Sequence, residues 1–537
     1  MNKSRLMPLW LALCVVVGIL IGTFYSRFFA GNRLSIVNVE GVGKLNYLLQ
    51  IIDDQYVDTV NINDLIEKTM PRVLAELDPH STYIATDDAE DANDELRGSF
   101  SGIGVRFTVQ NDTVTVMNVI KGGPSDRGGL QAGDRLLSAN GETLIGLGDR
   151  DIMKKLKGPQ DTQVELKVQR RGQKKPLTYV ITRGDVPVES VEAYFLLNET
   201  TGYIYIESFG ETTYGEMLMA LTEMTLQGME SLIIDLRGNR GGYLQAAVQM
   251  VNEFLPANRL IVYTEGRKSP REDVRSNGRG SFQKLPLVVL VDEGSASASE
   301  IFAGAIQDND RGVVVGRRSF GKGLVQAPIE LRDGSVVRLT VARYYTPSGR
   351  CIQRPYTSGE DKDYENDWML RYERGEYFSA DSIKQEGPAY TTRIGREVYG
   401  GGGIMPDYFV PEDTMLITSY YREAVYTGLI VQYAFQFTDQ HREKLSQLTD
   451  VAEFTTWLRT QNLVESFAAY AEQHGLQRRN LMLRQSAPLI ERALTANIIY
   501  NITGQKERLQ FLSQTDNTVI RALQLIEAEQ TVPQLNP

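Results

Sequence analysis

The chain of 537 residues is poor in the side chains that most metal and nucleophilic sites use. It has two cysteines and three histidines, and no His-Glu-x-x-His segment. Cys14 falls in an apolar N-terminal segment, far from Cys351, so we expect no intramolecular disulfide and little material for a zinc site. The net charge of −11 opposes binding to nucleic acid, which requires clustered Lys and Arg. The sequence therefore predicts no metal site and no nucleic-acid partner.

A long uncharged run is present only at the N-terminus, over residues 6–26, and Lys3 and Arg5 precede it. Its length matches the roughly 20 residues that span a bilayer. The preceding basic residues orient the rest of the chain outward, into the periplasm or an equivalent space. A cleaved signal peptide and a lipoprotein site at Cys14 are the alternatives. We expect residues 1–30 to anchor the chain in the membrane, with the remainder in the cell envelope.

The pattern of apolar, glycine and polar residues changes along the chain. Apolar residues at helical spacing give way to short alternating strands with glycine turns, then to apolar strands separated by helical stretches, and finally to a segment with little Gly or Pro. We expect a helical region at 31–97, an inserted β-rich domain at 98–184, an α/β core at 185–412 and a helical region at 413–537. Within the core, the polar segment 357–390 reads as a surface loop or an insertion. The two helical regions are candidates for homo-oligomer contacts or partner docking.

A serine-rich turn stands between an apolar strand at 287–291 and a predicted helix. Ser297 would begin that helix, with its hydroxyl exposed next to first-turn N–H groups that can bind developing negative charge. None of the histidines has a setting that suggests pairing with this serine. Because Glu300 completes a capping-box pattern, a purely structural N-cap is the alternative for Ser297.

Lys322 lies between two glycines after an apolar strand at 313–315. A buried, neutral lysine can take a serine proton, as histidine does in other hydrolases. Its pKa would have to fall from about 10.4 to about 7. Gln326 would orient the amine through its amide oxygen. A solvated surface lysine is the alternative.

The same lysine loop also fits the Gly-x4-Gly-Lys pattern of a nucleotide-binding loop over residues 316–322. However, Gly323 occupies the position where Ser or Thr should hold magnesium. The segment that follows reads as a β-hairpin rather than a helix. We therefore expect no nucleotide and no other cofactor.

A glycine-rich loop follows another apolar strand at 231–236. Gly241 or Gly242, together with the N–H of Ala298, would supply two donors to a tetrahedral oxyanion. A plain glycine turn is the alternative. The combination of hydroxyl, amine and glycine loop favours acyl-transfer chemistry.

Taken together, the motifs closely resemble those of the C-terminal processing peptidases, also called tail-specific proteases. The matching segments lie at residues 77–81, 102–105, 236–242, 295–301, 320–323 with Gln326, 346–350 and 400–407. The resemblance covers about residues 45–410 and implies a nucleophile at Ser297, a base at Lys322 and a lysine-orienting amide at Gln326. It also implies oxyanion donors at Gly241 and Ala298.

The segment 98–184 resembles a PDZ domain in the circular arrangement of bacterial proteases. In that family the PDZ loop binds the substrate's C-terminal carboxylate, and here the loop is Gly102, Ile103, Gly104 and Val105.

The resulting expectation is a multidomain α/β fold, in which a Ser-Lys protease core carries an inserted PDZ-like domain and terminal helical segments. The function expected is that of an anchored serine endopeptidase that selects protein or peptide substrates with accessible apolar C-termini and cleaves envelope proteins through an acyl-enzyme. A non-catalytic periplasmic PDZ scaffold or chaperone is the alternative.

Overall fold

The computed structural model describes residues 40–89, 97–110, 112–359, 364, 366–384 and 387–534. The expected anchor at residues 1–30 lies outside these residues. Within the described ranges no helix is both long enough and apolar enough to cross a membrane. The chain divides into two compact units, residues 1–72 and 73–537.

The N-terminal part begins with helices α1 (Glu40–Gln55) and α2 (Ile62–Ala75). The helical expectation for 31–97 agrees with α1 and α2 and is wrong after residue 75, where strand β1 (Thr82–Ile84) precedes a short helix α3 (Thr86–Ala89). The strand was missed because its partner lies far along the chain, in a strand of the α/β core, and local spacing carries no information about that pairing.

The PDZ-like segment is β-rich, as expected. Its elements are β2 (Ser99–Gly102), β3 (Val105–Gln110), β4 (Thr113–Val119), α4 (Pro124–Gly128), β5 (Arg135–Ala139), β6 (Glu142–Thr143), α5 (Asp149–Leu156), β7 (Gln163–Gln169), β8 (Leu177–Thr182) and β9 (Gly184–Pro187). The strand order β3-β4-β5-β7-β8 forms the main sheet, and β2 pairs with β9. Alternate residues of β7 (Val164, Leu166 and Val168) are fully buried, because one face of the sheet covers the domain core.

The α/β core alternates strands and helices as expected. Its elements are β10 (Val191–Leu196), β11 (Thr201–Ile206), α6 (Thr213–Leu226), β12 (Ser231–Asp235), α7 (Leu244–Asn252), β13 (Leu260–Glu265), β14 (Glu272–Arg275), β15 (Leu287–Val291), α8 (Ala298–Asp308), β16 (Val313–Gly316), β17 (Leu324–Glu330) and β18 (Val336–Tyr345). Strands β12 and β15 are buried along their whole length, which explains their unbroken apolar sequence.

The segment after the β17–β18 hairpin completes the core. It contains α9 (Asp367–Glu373), a 3-10 turn (Ala380–Ser382), β19 (Ala389–Thr391), β20 (Glu397–Tyr399) and β21 (Tyr408–Phe409). The surface-loop prediction for 357–390 is wrong in part, because the side chains of Arg371 and Glu376 are 3% and 2% exposed. Their charges pair with each other, which is why a polar sequence is buried here.

Two sheets position the loops of the core. The first has the order β10-β11-β12-β15-β16-β21, in which all neighbours but β10 and β11 are parallel. The second has the order β1-β18-β13-β14, and β17 pairs with β18. The hairpin that follows the lysine loop therefore belongs to a different sheet from the strands that precede it.

The C-terminal region is helical, as expected. Its helices are α10 (Ser419–Tyr426), α11 (Leu429–Leu445), α12 (Val451–Leu458), α13 (Leu463–Gln473), α14 (Asn480–Thr503), α15 (Gln505–Ser513) and α16 (Asn517–Glu527). Most of them enclose an apolar cluster of their own. Helix α16 instead packs its Val519, Ala522 and Leu525 against the first sheet of the core, beside Val288 and Leu290.

Candidate active site

Three predicted site loops leave the same edge of the first sheet. Strands β12, β15 and β16 are parallel neighbours, and the glycine loop, the serine turn and the lysine loop follow their carboxyl ends. The carboxyl edge of a parallel sheet is where α/β folds bind ligands. Sheet topology thus brings together segments that are far apart in sequence.

Ser297 lies at the N-terminus of α8 in a strained backbone conformation, with φ 57° and ψ −113°. This φ is unusual for a residue with a side chain. Ser297 is half-buried, and Ala298, the first residue of α8, is fully buried. The residue is thus the N-cap that the capping-box pattern predicted, held in a conformation that ordinary caps do not need.

Glu300 joins the serine turn to the lysine loop. Its Oε2 accepts the backbone N–H groups of Ser297 and Lys322, both at 2.8 Å. Its Oε1 accepts the hydroxyl of Ser319 at 2.5 Å and the N–H of Gly321 at 2.7 Å. Glu300 is fully buried, and burial raises its pKa to about 7, although these hydrogen bonds favour the charged form. One carboxylate therefore fixes the spacing of the two loops.

Lys322 is half-buried, and its pKa is lowered. Burial is the largest cause and disfavours the ammonium form. The charge of Arg338 acts in the same direction, whereas Glu300 and Asp78 oppose it. A lowered pKa is the change that a lysine base requires. Among the described residues, the Ser297 hydroxyl and the Lys322 amine are not hydrogen-bonded to each other.

Gln326 lies on β17, directly opposite Thr340 of β18. Its Nε2 donates to Thr340 Oγ1 at 3.2 Å. Gln326 and Ser297 both line a cleft of about 640 Å³. The apolar side chains of that cleft are Tyr243, Leu244, Ala246, Ile301, Leu324 and Val325. Lys322 is not among the described residues that line it.

The glycine loop packs directly against Ser297. A Cβ on Gly241 would lie 2.7 Å from Ser297 Cβ and 2.9 Å from the Ala298 nitrogen, and Gly241 has a φ of 101°. The Gly241 N–H already donates to Asn239 Oδ1 at 2.8 Å. Gly242, the next residue, has a φ of 146° and lines the same cleft as Ser297. Only glycine fits at either position, because the backbone is left-handed and the space is filled.

Tyr344 is a site residue that sequence reasoning missed. Its buried hydroxyl lies between the carbonyl oxygens of Ser297, at 3.1 Å, and of Lys322, and can donate its one proton to either. Tyrosine in an alternating strand gives no local sign of such a role. Tyr344 reaches the lysine loop because β18 passes beside it, with the Tyr344 N–H donating to the Gly323 carbonyl oxygen at 3.0 Å.

The turn of residues 78–81 is a second part of the site that the residue patterns do not indicate. It brings His80 beside the lysine loop, where the imidazole lies 6.4 Å from the Phe320 ring and its Nε2 is 2.7 Å from the Tyr364 hydroxyl. Burial, followed by the charge of Lys322, lowers the pKa of His80 to about 4. The family resemblance at residues 77–81 was the available signal.

The proposed peptide loop lies in the PDZ-like domain. Gly102 ends β2, Val105 begins β3, and Ile103 is 2% exposed within the domain core. The carbonyl oxygens of Ile103 and Gly104 accept N–H groups from Ser125 and Ile120. The loop is thus fixed by hydrogen bonds through its carbonyl groups.

The described residues contain no group of His, Cys, Asp and Glu side chains that could hold a metal ion. Asp308, at the far end of α8, forms a fully buried ion pair with Arg350 at 2.8 Å and accepts the Ser348 hydroxyl at 2.7 Å. These contacts give Asp308 a structural role.

Comparison with protein families finds three matching segments. Residues 200–365 match peptidase family S41, and residues 115–170 match the PDZ domain. Residues 420–504 match a family of unknown function. The first segment lies within the α/β core, and the second lies within the β-rich domain.

The chain is similar to two curated proteases and to one solved structure. The chain is 33% identical to the carboxy-terminal processing protease CtpB of Bacillus subtilis over 59% of its length and 66% of that protein, which is just under two thirds. It is 34% identical to a carboxy-terminal-processing protease of Bartonella bacilliformis over 57% of its length and 71% of that protein. A solved photosystem II D1 C-terminal processing protease is 29% identical over 57% of this chain and 88% of its own, with a TM-score of 0.32.

Proposed function

Because the chain belongs to the carboxy-terminal processing proteases of peptidase family S41, we propose that it is a serine endopeptidase with Ser297 as nucleophile and Lys322 as base. The observation that carries the proposal is the Glu300 carboxylate, whose Oε2 binds the backbone N–H groups of both residues. These two hydrogen bonds keep the loop that carries the Ser297 hydroxyl next to the loop that carries the Lys322 amine, whose pKa is lowered.

The chemistry follows from these groups. The neutral Lys322 amine takes the Ser297 hydroxyl proton as Oγ bonds to the scissile carbonyl carbon. The oxyanion is bound by the N–H of Ala298 and by Gly241 or Gly242. Since the Gly241 N–H is engaged by Asn239, Gly242 is the better-supported second donor. The Lys322 ammonium then gives its proton to the leaving amine as the C–N bond breaks, leaving an acyl-enzyme. Water then attacks the ester carbonyl as Lys322 takes one of its protons, and Lys322 returns that proton to Ser297 Oγ as the bond to the acyl carbon breaks.

Gln326 would orient the lysine amine through its Oε1, with its Nε2 held by Thr340. The apolar side chains of the cleft beside Ser297 favour an extended substrate segment with apolar residues. The PDZ domain would bind the substrate's C-terminal carboxylate at the loop of residues 102–105 and deliver the chain to the cleft. Substrates would be envelope proteins with accessible apolar C-termini.

Several further assignments rest on the sequence. We propose the uncharged run at residues 6–26 as an N-terminal anchor, with the catalytic part outside the cytoplasmic membrane. The proposed domains are 1–30, 31–97, 98–184, 185–412 and 413–537, and the terminal helical regions are the proposed sites of homo-oligomer contact.

The test uses the full chain in detergent and a loosely folded reporter that ends either in an apolar tail or in Asp-Asp. Fragments are followed by mass spectrometry for wild type, Ser297→Ala and Lys322→Ala. The matched controls are Ser446→Ala and Lys284→Ala, both at exposed positions. We expect cleavage by wild type and the controls, biased to the apolar tail, and none by the two site variants. Cleavage by Ser297→Ala would overturn the proposal, and binding without cleavage by any form would favour a scaffold.

A further inference from the structure

The turn of residues 78–81 is packed against the hairpin that carries Gln326. It leads into β1, whose Thr82 pairs with Arg338 of β18, two residues before Thr340. The Thr340 backbone N–H donates to Ser81 Oγ at 3.0 Å. Asp78 and Ser81 are each 5% exposed. A segment remote in sequence is therefore part of the sheet behind the cleft.

Asp78 is the acceptor at the centre of this turn. Its Oδ1 accepts the N–H groups of His80 and Ser81, both at 2.9 Å, and the hydroxyl of Thr340 at 3.0 Å. Its Oδ2 accepts the Ser81 hydroxyl at 2.6 Å. Burial alone would raise the pKa of Asp78, but these hydrogen bonds outweigh it and the pKa is lowered. Asp78 is consequently an ionised, acceptor-only group at neutral pH.

The Thr340 hydroxyl has one proton and lies between two partners. Since the Asp78 carboxylate can only accept, the hydroxyl donates to it. The oxygen of Thr340 must then accept from its other partner, which is Gln326 Nε2 at 3.2 Å. The NH₂ group of the Gln326 amide must therefore face Thr340. The amide oxygen, Oε1, then faces away from Thr340.

We propose that Asp78 is a positioning residue, which acts through Thr340 to set the orientation of the Gln326 amide. The inference rests on the proposed roles of Lys322 and Gln326. A neutral lysine has two N–H donors and one lone pair. When the Gln326 amide oxygen accepts one N–H of the Lys322 amine, the nitrogen lone pair is directed toward the Ser297 hydroxyl. If the amide were reversed, its NH₂ group would face the N–H groups of the amine, and no hydrogen bond would form. The Asp78–Thr340–Gln326 chain prevents that reversal.

A purely electrostatic role for Asp78 makes a different prediction. The charged and titratable groups that act on Lys322 include Glu300 and Asp78, which favour the ammonium form, together with Arg338, which disfavours it. His80 also lies within electrostatic reach of the amine. Removing only the charge of Asp78 would therefore extend activity to lower pH. Losing the amide orientation would instead lower kcat at every pH.

The test is a double-mutant cycle in the full chain, with the apolar-tailed reporter. We expect Thr340→Val and Asp78→Asn each to lower kcat by about tenfold to a hundredfold with little change in KM, and Thr340→Ser to retain activity. In the Gln326→Ala background, Asp78→Asn and Thr340→Val should have no further effect. Asp333→Asn is the matched control, because Asp333 closes a comparable turn with Ser335 in the same hairpin, remote from the cleft.

Thermal unfolding of each variant distinguishes a loss of folding from a change in the orientation of the Gln326 amide. If Asp78→Asn does not fold, Thr340→Val alone tests the proposal. Wild-type activity of Thr340→Val, or full additivity in the Gln326→Ala background, would overturn the relay. Wild-type activity of Gln326→Ala, with Ser297→Ala inactive, would also overturn it while leaving the Ser-Lys assignment intact. Cleavage by Ser297→Ala would instead overturn the proposed function.

Discussion

Glu300 Oε2 accepts the backbone N–H of Ser297 at 2.8 Å, so the side chain that closes the first turn of α8 also fixes the backbone of the proposed nucleophile. The same oxygen accepts the Lys322 N–H, and the other oxygen binds Ser319 and Gly321. The carboxylate that caps the helix therefore also sets the distance between the serine turn and the lysine loop. Its four hydrogen-bond partners are all donors, so the side chain at this position must offer an acceptor atom on each side.

Replacement of this carboxylate should disable the site. In Glu300→Gln the amide NH₂ must face N–H or O–H donors on one side, so at least one buried donor is left unpaired. We expect a loss of about a hundredfold in kcat and about 1–3 kcal/mol in the free energy of unfolding. Reporter cleavage and chemical denaturation measure the two effects. Glu443→Gln, at an exposed position of α11, should leave both unchanged.

Glu300 should also give the protein a pH-dependent stability. Its folded-state pKa of about 7 lies above its ordinary value of 4.5. As pH rises through this interval, the unfolded chain releases the proton while the folded chain retains it, so the stabilisation present below pH 4.5 is lost by about pH 7. Unfolding measured across this range should show the decline in wild type, and the decline should be smaller in Glu300→Gln. Parallel curves for the two proteins would contradict the assignment.

The Lys322 amine should set the acidic limb of the activity profile. Because its pKa is lowered, kcat/KM should rise with pH and level off below the ordinary lysine value of 10.5. Lys322→Arg should be inactive at every pH, since arginine is not deprotonated in proteins. A profile that keeps rising through pH 10.5 would mean that the lysine is an ordinary surface amine.

The half-buried Lys322 side chain should lower the free energy of unfolding of the protein. Below pH 10.5 the unfolded chain carries the charge freely, whereas the folded chain buries it, so folding is penalised. We expect Lys322→Met to raise Tm while abolishing cleavage, and the gain to shrink as pH approaches 10.5. Scanning calorimetry at two pH values measures this, and Lys284→Met, at an exposed position, is the control. A lower Tm for Lys322→Met would contradict the prediction.

Gly241 should not tolerate a side chain. The new Cβ would meet Ser297 Cβ at 2.7 Å and the Ala296 carbonyl oxygen at 2.8 Å, on a backbone with φ 101°. Gly241→Ala should therefore lower kcat by about a hundredfold or more, because it displaces Ser297. Gly215→Ala is the matched control, since no atom lies within 4 Å of its added Cβ. Equal activity of the two variants would show that the glycine loop is remote from the chemistry.

Arg371 should link the α9 segment to the lysine loop. Its guanidinium donates to the carbonyl oxygens of Ser319 and Arg318, at 3.1 and 2.6 Å. Arg371→Leu leaves those two buried carbonyl oxygens without their donor, while Glu376 keeps its ion pair with Arg318. We expect a loss of about 1–3 kcal/mol in stability. Arg374→Leu, close by in the chain but 39% exposed, should cost less than about 1 kcal/mol. Urea denaturation of both variants measures the difference.

The sequence alone predicts the helices that have local capping signals and the strands that are buried along their whole length. The apolar strands β12 and β15 and the helix that begins after Ser297 were predicted, because unbroken apolar runs and capping residues leave a direct mark on the sequence. The β-rich domain and the C-terminal helices were predicted for the same reason. The candidate residues Ser297, Lys322, Gln326 and Gly241 came from short motifs, and the family from their order.

Tertiary structure decided what depends on non-local pairing. Strand β1 pairs with β18, and the contact of Asp78 with Thr340 follows from that pairing. The contact of Tyr344 with the Ser297 carbonyl oxygen depends on where the other end of β18 lies. The burial of Arg371 depends on carbonyl groups that no local pattern reveals. Glu300 was read as half of a helix cap, yet its larger role is to bind the lysine loop. The sequence determined which groups are present, and the parallel sheet determined which of them meet, because a shared edge joins segments whatever their distance along the chain.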